Sequence, residues 1–273
     1  NYQNRGAEDP FVSCFLPGVP RIMALESPFH LFQTDDHVAI TFEWQQVYRI
    51  IYIDDGPAMY AGIPSFMGHS RGRWDGDVFV VEVTDQNDRT WLDASGNFHS
   101  GAVHVTERYR LLDADTIEYE ATLEDPAVYT EPWTIRFELR RQAQFDRILE
   151  NQCQAEKEEA NGLFEREEHT WYPAPIPEDN EPFDAGASED LPLPDVPPDI
   201  PRLADGTPDI SGFFMADGGG ANYGLEQHPG HELLPPSRGH LIDPADGVLP
   251  YRGWARAERI DREMPYRGYD DPT

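Results

Sequence analysis

The sequence predicts an all-β protein, and three observations carry that expectation. Residues 21–155 hold a series of short apolar runs in which side chains alternate with period two. The gaps between those runs are hairpin-length and rich in Asp, Asn and Gly, the residues that turns demand. After residue 155 the composition changes sharply, so the β pattern has a defined end.

Eight strands are predicted: 29–34, 38–44, 48–53, 77–84, 102–112, 116–123, 133–141 and 145–153. "TIEYEATL" shows the alternation best: Ile117, Tyr119, Ala121 and Leu123 share one face, and Glu118 and Glu120 take the other. The turns are "DDG" at 54–56, "WDGD" at 74–77, "ASGN" at 94–97 and "DAD" at 113–115. Eight antiparallel strands in sequence give an up-and-down, lipocalin-like barrel or a sandwich, and closure removes edges that invite aggregation. Residues 1–155 form this domain, with an irregular start punctuated by Pro10, Pro17, Gly18 and Pro20.

Residues 156–200 hold fourteen acidic residues against one Lys and one Arg, and eight prolines. Such a segment buries too little apolar surface to offset its ordering entropy, so it reads as an extended linker. Fully extended it spans about 140 Å. Residues 201–273 form a C-terminal arm with one short apolar core, "ISGFFM", and a second segment, "LPYRGWARAERIDREM", that suits a short helix after Pro250. The arm is too poor in apolar residues to fold alone, so it packs on its own barrel or on a neighbour's. Ile210, Phe213, Phe214, Trp254, Tyr266 and Tyr269 are its candidate contact residues.

The net charge of −30 argues against nucleic acid, whose phosphates need clustered Lys and Arg. Lys157 is the only lysine. A lysine-poor, acidic surface fits either a saline or extracellular setting or general solubility through self-repulsion. No apolar run is long enough for a transmembrane helix. The chain starts at Asn1 with no signal peptide in view, as a processed or excerpted polypeptide would. Cys14 and Cys153 flank the strand-rich region; they are either two free thiols or, the favoured reading, a disulfide. Paired, they close a loop worth about 4–5 kcal/mol on the chain-entropy account.

Chemistry is harder to find. In "GHSRGRWDGD", His69 and Ser70 are adjacent and diverge on a strand, and no nucleophile elbow is present. If the barrel mouth is a site, His69, Arg73 and Asp75 belong to it, with His104 and Glu107 from "HSGAVHVTER". The alternative is an ordinary hairpin, with Trp74 as packing. His99, His104 and Glu107 lack the spacing of a zinc site, and no HExxH occurs. Asp85, Asn87, Asp88 and Asp93 offer oxygens for calcium but not the EF-hand pattern; calcium is the only cofactor candidate. "ADGGGANYG" lacks the Lys and frame of a phosphate loop. The aromatics Trp44, Tyr48, Tyr52, Trp74, Trp91, Tyr109, Tyr119 and Trp133 either line a ligand cavity or fill the core.

The two ends of the chain match each other. "RGAEDPF" at 5–11 and "RGYDDPT" at 267–273 share Arg-Gly-x-acid-Asp-Pro. Residues 8–153 also resemble a family of uncharacterised exported bacterial β-proteins. The resemblance rests on "EDPFVSCFLPGVPR", "FMGHSRGRWDGDVFVVEV", "NDRTWLDASGNFHSGAVHVTERYR", "DTIEYEATLEDP" and "YTEPW". In that family, segments like "ADGTPDISGFF" and "LPYRGWARAE" precede the barrel; here they follow it. The resemblance therefore implies export, to the cell surface, the medium or the periplasm, with a permuted segment order. Permutation and terminal repeat together give the leading expectation: a secreted subunit whose arm docks on the next copy head-to-tail, building a filament or surface array. The alternative is an exported barrel enzyme or binder of a small apolar molecule.

Overall fold

The computed structural model describes residues 9–53, 62–145, 147–153, 199–217, 220–230 and 235–259. Its strands are β1 (Phe29–Gln33), β2 (His37–Phe42), β3 (Tyr48–Ile53), β4 (His69–Asp75), β5 (Val78–Thr84), β6 (His104–Leu111), β7 (Thr116–Glu124), β8 (Trp133–Arg141), β9 (Gly212–Ala216) and β10 (Leu241–Asp243). One short helix, α1 (Gly220–Tyr223), lies in the arm, and residues 253–259 are also helical. Among the described residues no helix is long and apolar enough to cross a membrane.

Strands β1 to β8 follow one another around a single sheet, and β9 sits between β1 and β8 to close a nine-stranded barrel. β10 extends the pairing on the same side of β8. Most neighbours are antiparallel, but β3 and β4 run parallel and share only Tyr52↔Arg71 and Ile53↔Gly72. The barrel is therefore not strictly up-and-down.

Alternation builds the core. Val38, Ile40 and Phe42 of β2, Phe79, Val81 and Val83 of β5, and Ile117, Tyr119, Ala121 and Leu123 of β7 all point inward and are buried. The outward positions of β6 to β8 carry a charge ladder: Arg110 pairs with Glu118 at 2.7 Å, and Arg136 with Glu120 at 2.9 Å.

Three of the sequence expectations change. Residues 69–75 form a full strand, whose small inward residues Ser70 and Gly72 leave room for the Phe79 ring and whose Trp74 packs on the same ring. A Cβ at Gly72 would lie 2.4 Å from the Phe79 ring, so the ring rests directly on the β4 backbone. Residues 145–153 are not the eighth strand: Phe145 and Leu149 are exposed, and the chain instead reaches Glu43 and Trp44. The place beside β8 is taken by β9, from the arm. One end of the barrel is covered by the β5–β6 connection, whose Trp91, Leu92 and Phe98 join the core. That connection is pinned by Gln86, which bonds the Val19 N–H and C=O at 2.8 and 2.9 Å in the manner of a strand partner.

Cys14 and Cys153 form a disulfide across 139 residues of sequence. This ties the segment after β8 to the segment before β1. A Cys14→Ser/Cys153→Ser variant is expected to lose about 4–5 kcal/mol of unfolding free energy in urea titration; an unchanged midpoint would show that the loop is already closed by packing alone.

Candidate assembly site and interior cluster

The feature that dominates the molecule is the seat of the arm. It begins at the barrel end formed by the β1–β2, β4–β5 and β6–β7 turns. Arg202 pairs with Asp77 through two bonds of 2.8 Å, and Gln33 brackets the Pro208 carbonyl and the Ile210 N–H. Ile200 and Ile210 are buried there as apolar plugs. Arg141 then donates to the Ser211 carbonyl and lays its guanidinium 4.6 Å from the Phe214 ring centroid. Gly212 permits this, since its φ is +138° and a Cβ would meet the Arg141 guanidinium.

β9 fills the slot in strict register: Phe29↔Phe214, His30↔Phe213 and Leu31↔Gly212 on one side, Leu139↔Ala216 and Arg140↔Met215 on the other. Phe214 is fully buried against Phe29, and outside the barrel the His30 ring lies between Phe32 and Phe213, with centroids 3.8 and 3.9 Å away. Of the expected contact residues, Ile210 and Phe214 are buried in the chain's own barrel and Phe213 is half-buried. Trp254 is largely exposed with its ring near Phe98, and Tyr266 and Tyr269 lie outside the described residues.

Beyond β9 the arm returns to the opposite end and meets a buried polar knot. The Asp93 carboxylate accepts from Ser95 and Asn97 and, across to the arm, from the Leu225 N–H at 2.8 Å. Tyr251 donates to Asn97 Oδ1 at 2.9 Å, and Tyr129 donates to the Phe98 carbonyl at 2.8 Å. Burial pushes both phenols above their usual range and keeps them neutral; Tyr251 Oη also accepts from the Phe98 N–H. Glu226 receives the Leu249 N–H and the Arg256 guanidinium. His240 N–H bonds the Leu225 carbonyl, its own carbonyl accepts from Arg136 of β8, and its Nε2 is buried with no bonding partner among the described residues.

Of the residues expected at a barrel mouth, the structure brings Arg73 and His104 together on the outer face and leaves Glu107 apart from them, inside. His69, Arg73, Asp75 and His104 lie on the outer face, with His69 Nε2 buried and unpartnered among the described residues. Arg73 and His104 meet on Glu82 at 3.3 and 2.8 Å, and Thr106 donates to the same carboxylate. Glu82 is thus the hub that the sequence reading missed. Glu107 points the other way, into the barrel, because it and His104 are an odd number of residues apart on one strand. There Arg49 grips it with two guanidinium nitrogens and also donates to Ser70 Oγ at 3.0 Å. Tyr109 and Tyr119 donate to Glu107 Oε1 at 2.9 and 2.8 Å. Burial, and then the Glu107 charge, hold both phenols well above their ordinary values; the Arg49 guanidinium, which burial would lower, is raised overall by the same carboxylate. Every group in this cluster is satisfied, and the eight aromatics weighed as a cavity lining include Tyr109, Tyr119 and Trp133 packed solidly in the core.

Two further groups resemble chemistry without providing it. Thr90 and His99 stand 3.1 Å apart, with His99 Nδ1 donating to the Ser100 carbonyl at 2.9 Å, so Nε2 accepts from the hydroxyl. Both are buried, and burial lowers the His99 pKa. The oxygen-rich loop is also committed elsewhere: Asp93 is saturated by N–H and O–H donors, Asn87 accepts from the Arg89 N–H, and Asp85 from the Gly62 N–H. Among the described residues no three His, Cys, Asp or Glu side chains are arranged to hold a metal. A cleft of about 290 Å³ on the outer wall is lined by Glu118, Arg136, Phe137, Glu138, Asp217 and Arg238. Compared with family models, curated proteins and solved structures, the chain matches none.

Two outcomes follow from these buried groups. Glu107→Gln keeps the shape but strips Arg49 of its counter-charge, and is expected to cost about 3–5 kcal/mol in urea unfolding. Burial, reinforced by Arg238, lowers the His240 pKa from 6.5 to about 4. In the unfolded chain this group takes up its proton near pH 6.5, and in the folded chain only near 4. Stability present above pH 6.5 is therefore lost as pH falls towards 4, with a slope approaching about 1.4 kcal/mol per pH unit from this group. His240→Gln should flatten that part of the stability–pH curve; an unaltered slope would place the proton uptake elsewhere.

Proposed function

We propose that this protein is an exported structural module that assembles by exchanging its closing arm between copies. One observation carries the reading: the strand that closes the barrel reaches its slot only across residues 154–198. A second copy offers β9 the same β1 and β8 edges in the same register. Neither exchange partner needs a new interface, since every contact made within one chain is remade between two.

A tether of this length sets the local concentration of the arm at about millimolar. The arm closes its own barrel in dilute solution, and a neighbour competes where copies are crowded to a comparable level, as on a cell surface. The acid-rich, lysine-poor composition, the disulfide and the likeness to exported β-proteins support an oxidising, extracytoplasmic setting. Because the arm leaves one copy and enters another, the contact is head-to-tail, and it extends as a filament unless its rotation closes.

The test uses two chains, one carrying His30→Cys and the other Phe213→Cys, at positions that face each other across β1 and β9. Refolded together at about 1 mM, they are expected to give covalent dimers on a non-reducing gel, with mixed wild type forming filaments visible by electron microscopy. Monomers alone, at that concentration and after co-refolding, would overturn the reading.

A further inference from the structure

The segment at which the described chain begins is itself docked, and its sequence occurs twice. Asp9 and Arg21 are both buried, and the guanidinium takes the carboxylate through two bonds, 3.0 and 2.7 Å. The same carboxylate receives the Phe11 N–H at 3.0 Å and so caps the turn Pro10–Ser13, with Pro10 at its first position. Phe11 completes the fit, stacked on Trp44 at 4.6 Å with the Arg21 guanidinium 4.8 Å from its centroid. The receiving side is built from other parts of the fold. Arg21 donates to the Trp91 carbonyl at 3.3 Å and to Asn222 Oδ1 of the arm at 3.0 Å, which holds the guanidinium in place whatever occupies its outer edge.

This seat selects an aspartate followed by proline: a carboxylate for the guanidinium fork, and a ring that presets the backbone of the capped turn. Within the chain, Arg-Gly-x-acid-Asp-Pro stands at 5–10 and again at 267–272. We infer that the Arg21 seat is a recognition site for this sequence, and that its second occupant is the chain's own C-terminal segment, residues 267–273. Asp271 takes the place of Asp9, and Pro272 that of Pro10. Thr273 stands where Phe11 stands, so the second occupant lacks the ring that stacks on Trp44 and is the weaker of the two. The seat takes Asn222 from the arm that carries β9, and its test reads the same whether that arm comes from the same chain or from a neighbour.

Fluorescein-labelled peptides covering residues 265–273 and 5–11 are titrated against the full chain carrying Asp9→Asn together with Asp271→Asn, which removes both of the chain's own carboxylates for the seat, and read by anisotropy. Both are expected to saturate, the 5–11 peptide more tightly. Asp271→Asn in the longer peptide should weaken it about tenfold or more, and Thr273→Phe should tighten it. Failure of the 265–273 peptide to saturate, or equal binding by its Asp271→Asn form, would overturn the inference. If the Asp9→Asn chain does not fold, wild-type chain is given excess Thr273→Phe peptide and followed by amide exchange at Val12 and Cys14. Their N–H groups bond the Asp9 and Phe11 carbonyls. Faster exchange at both is expected, and unchanged exchange would overturn the inference.

Discussion

The molecule depends on the pairing of β9 with β1 on one side and β8 on the other. Without it the sheet has two open edges, each with a row of unpaired N–H and C=O groups, and Phe29, Leu31 and Leu139 lose their cover. The strand is only five residues long, so it is not held by its own ladder alone. It is held on both sides: by Asp77, Gln33 and Arg141 on the segment before β9, and by Asp93 and Asn97, through Leu225 and Tyr251, on the segment after it. Those anchors lie at opposite ends of the barrel, so the arm ties the two ends together as well as closing the wall.

The interior explains why the barrel is not a cup. Its inward positions carry large aromatics, and where they leave a polar space the Arg49–Glu107 pair fills it with Tyr109, Tyr119 and Ser70. A buried ion pair of this kind contributes little net stability compared with an apolar filling, yet removing one partner is costly. It therefore specifies which strands meet, since only β3, β4, β6 and β7 in this order bring the five groups together. That ties the parallel β3–β4 contact, which shares just two residue pairs, to the antiparallel wall beside it.

Much of this architecture was legible in the sequence, for a physical reason: strands with one buried face advertise themselves by alternation. β2, β7 and β8 alternate over most of their length, and the disulfide was the favoured reading of two cysteines in a chain with an exported look. β4 was not legible, because its inward residues Ser70 and Gly72 are small, and nothing local says that a phenyl ring from the next strand will lie over them. β9 was hidden by its shortness and its distance from its partners. Residues 145–153 looked like a strand because apolar residues are present, but the slot had a better occupant. For the candidate site, spacing placed His104 and Glu107 together, yet the period of a strand puts them on opposite faces. Glu82, Arg49 and Asn97 carry no local signal, since their roles arise only from contacts distant in sequence.

Exchange of the arm does not alter the contacts it makes, so the bonds within the seat cancel when the closed monomer is compared with an exchanged assembly. What remains is the cost of bringing copies together and the electrostatics of doing so. Each copy carries a net charge of −30, and copies repel over a distance set by ionic strength, roughly 8 Å of screening length at physiological salt. At low salt that repulsion adds to the entropic preference for the chain's own arm. Saline surroundings remove it while leaving the buried contacts untouched, because Phe214, Ile210 and the Asp93 knot are out of reach of mobile ions. Under the proposed exchange, the acidic composition that opposes association in dilute, low-salt solution opposes it least in a crowded, saline setting.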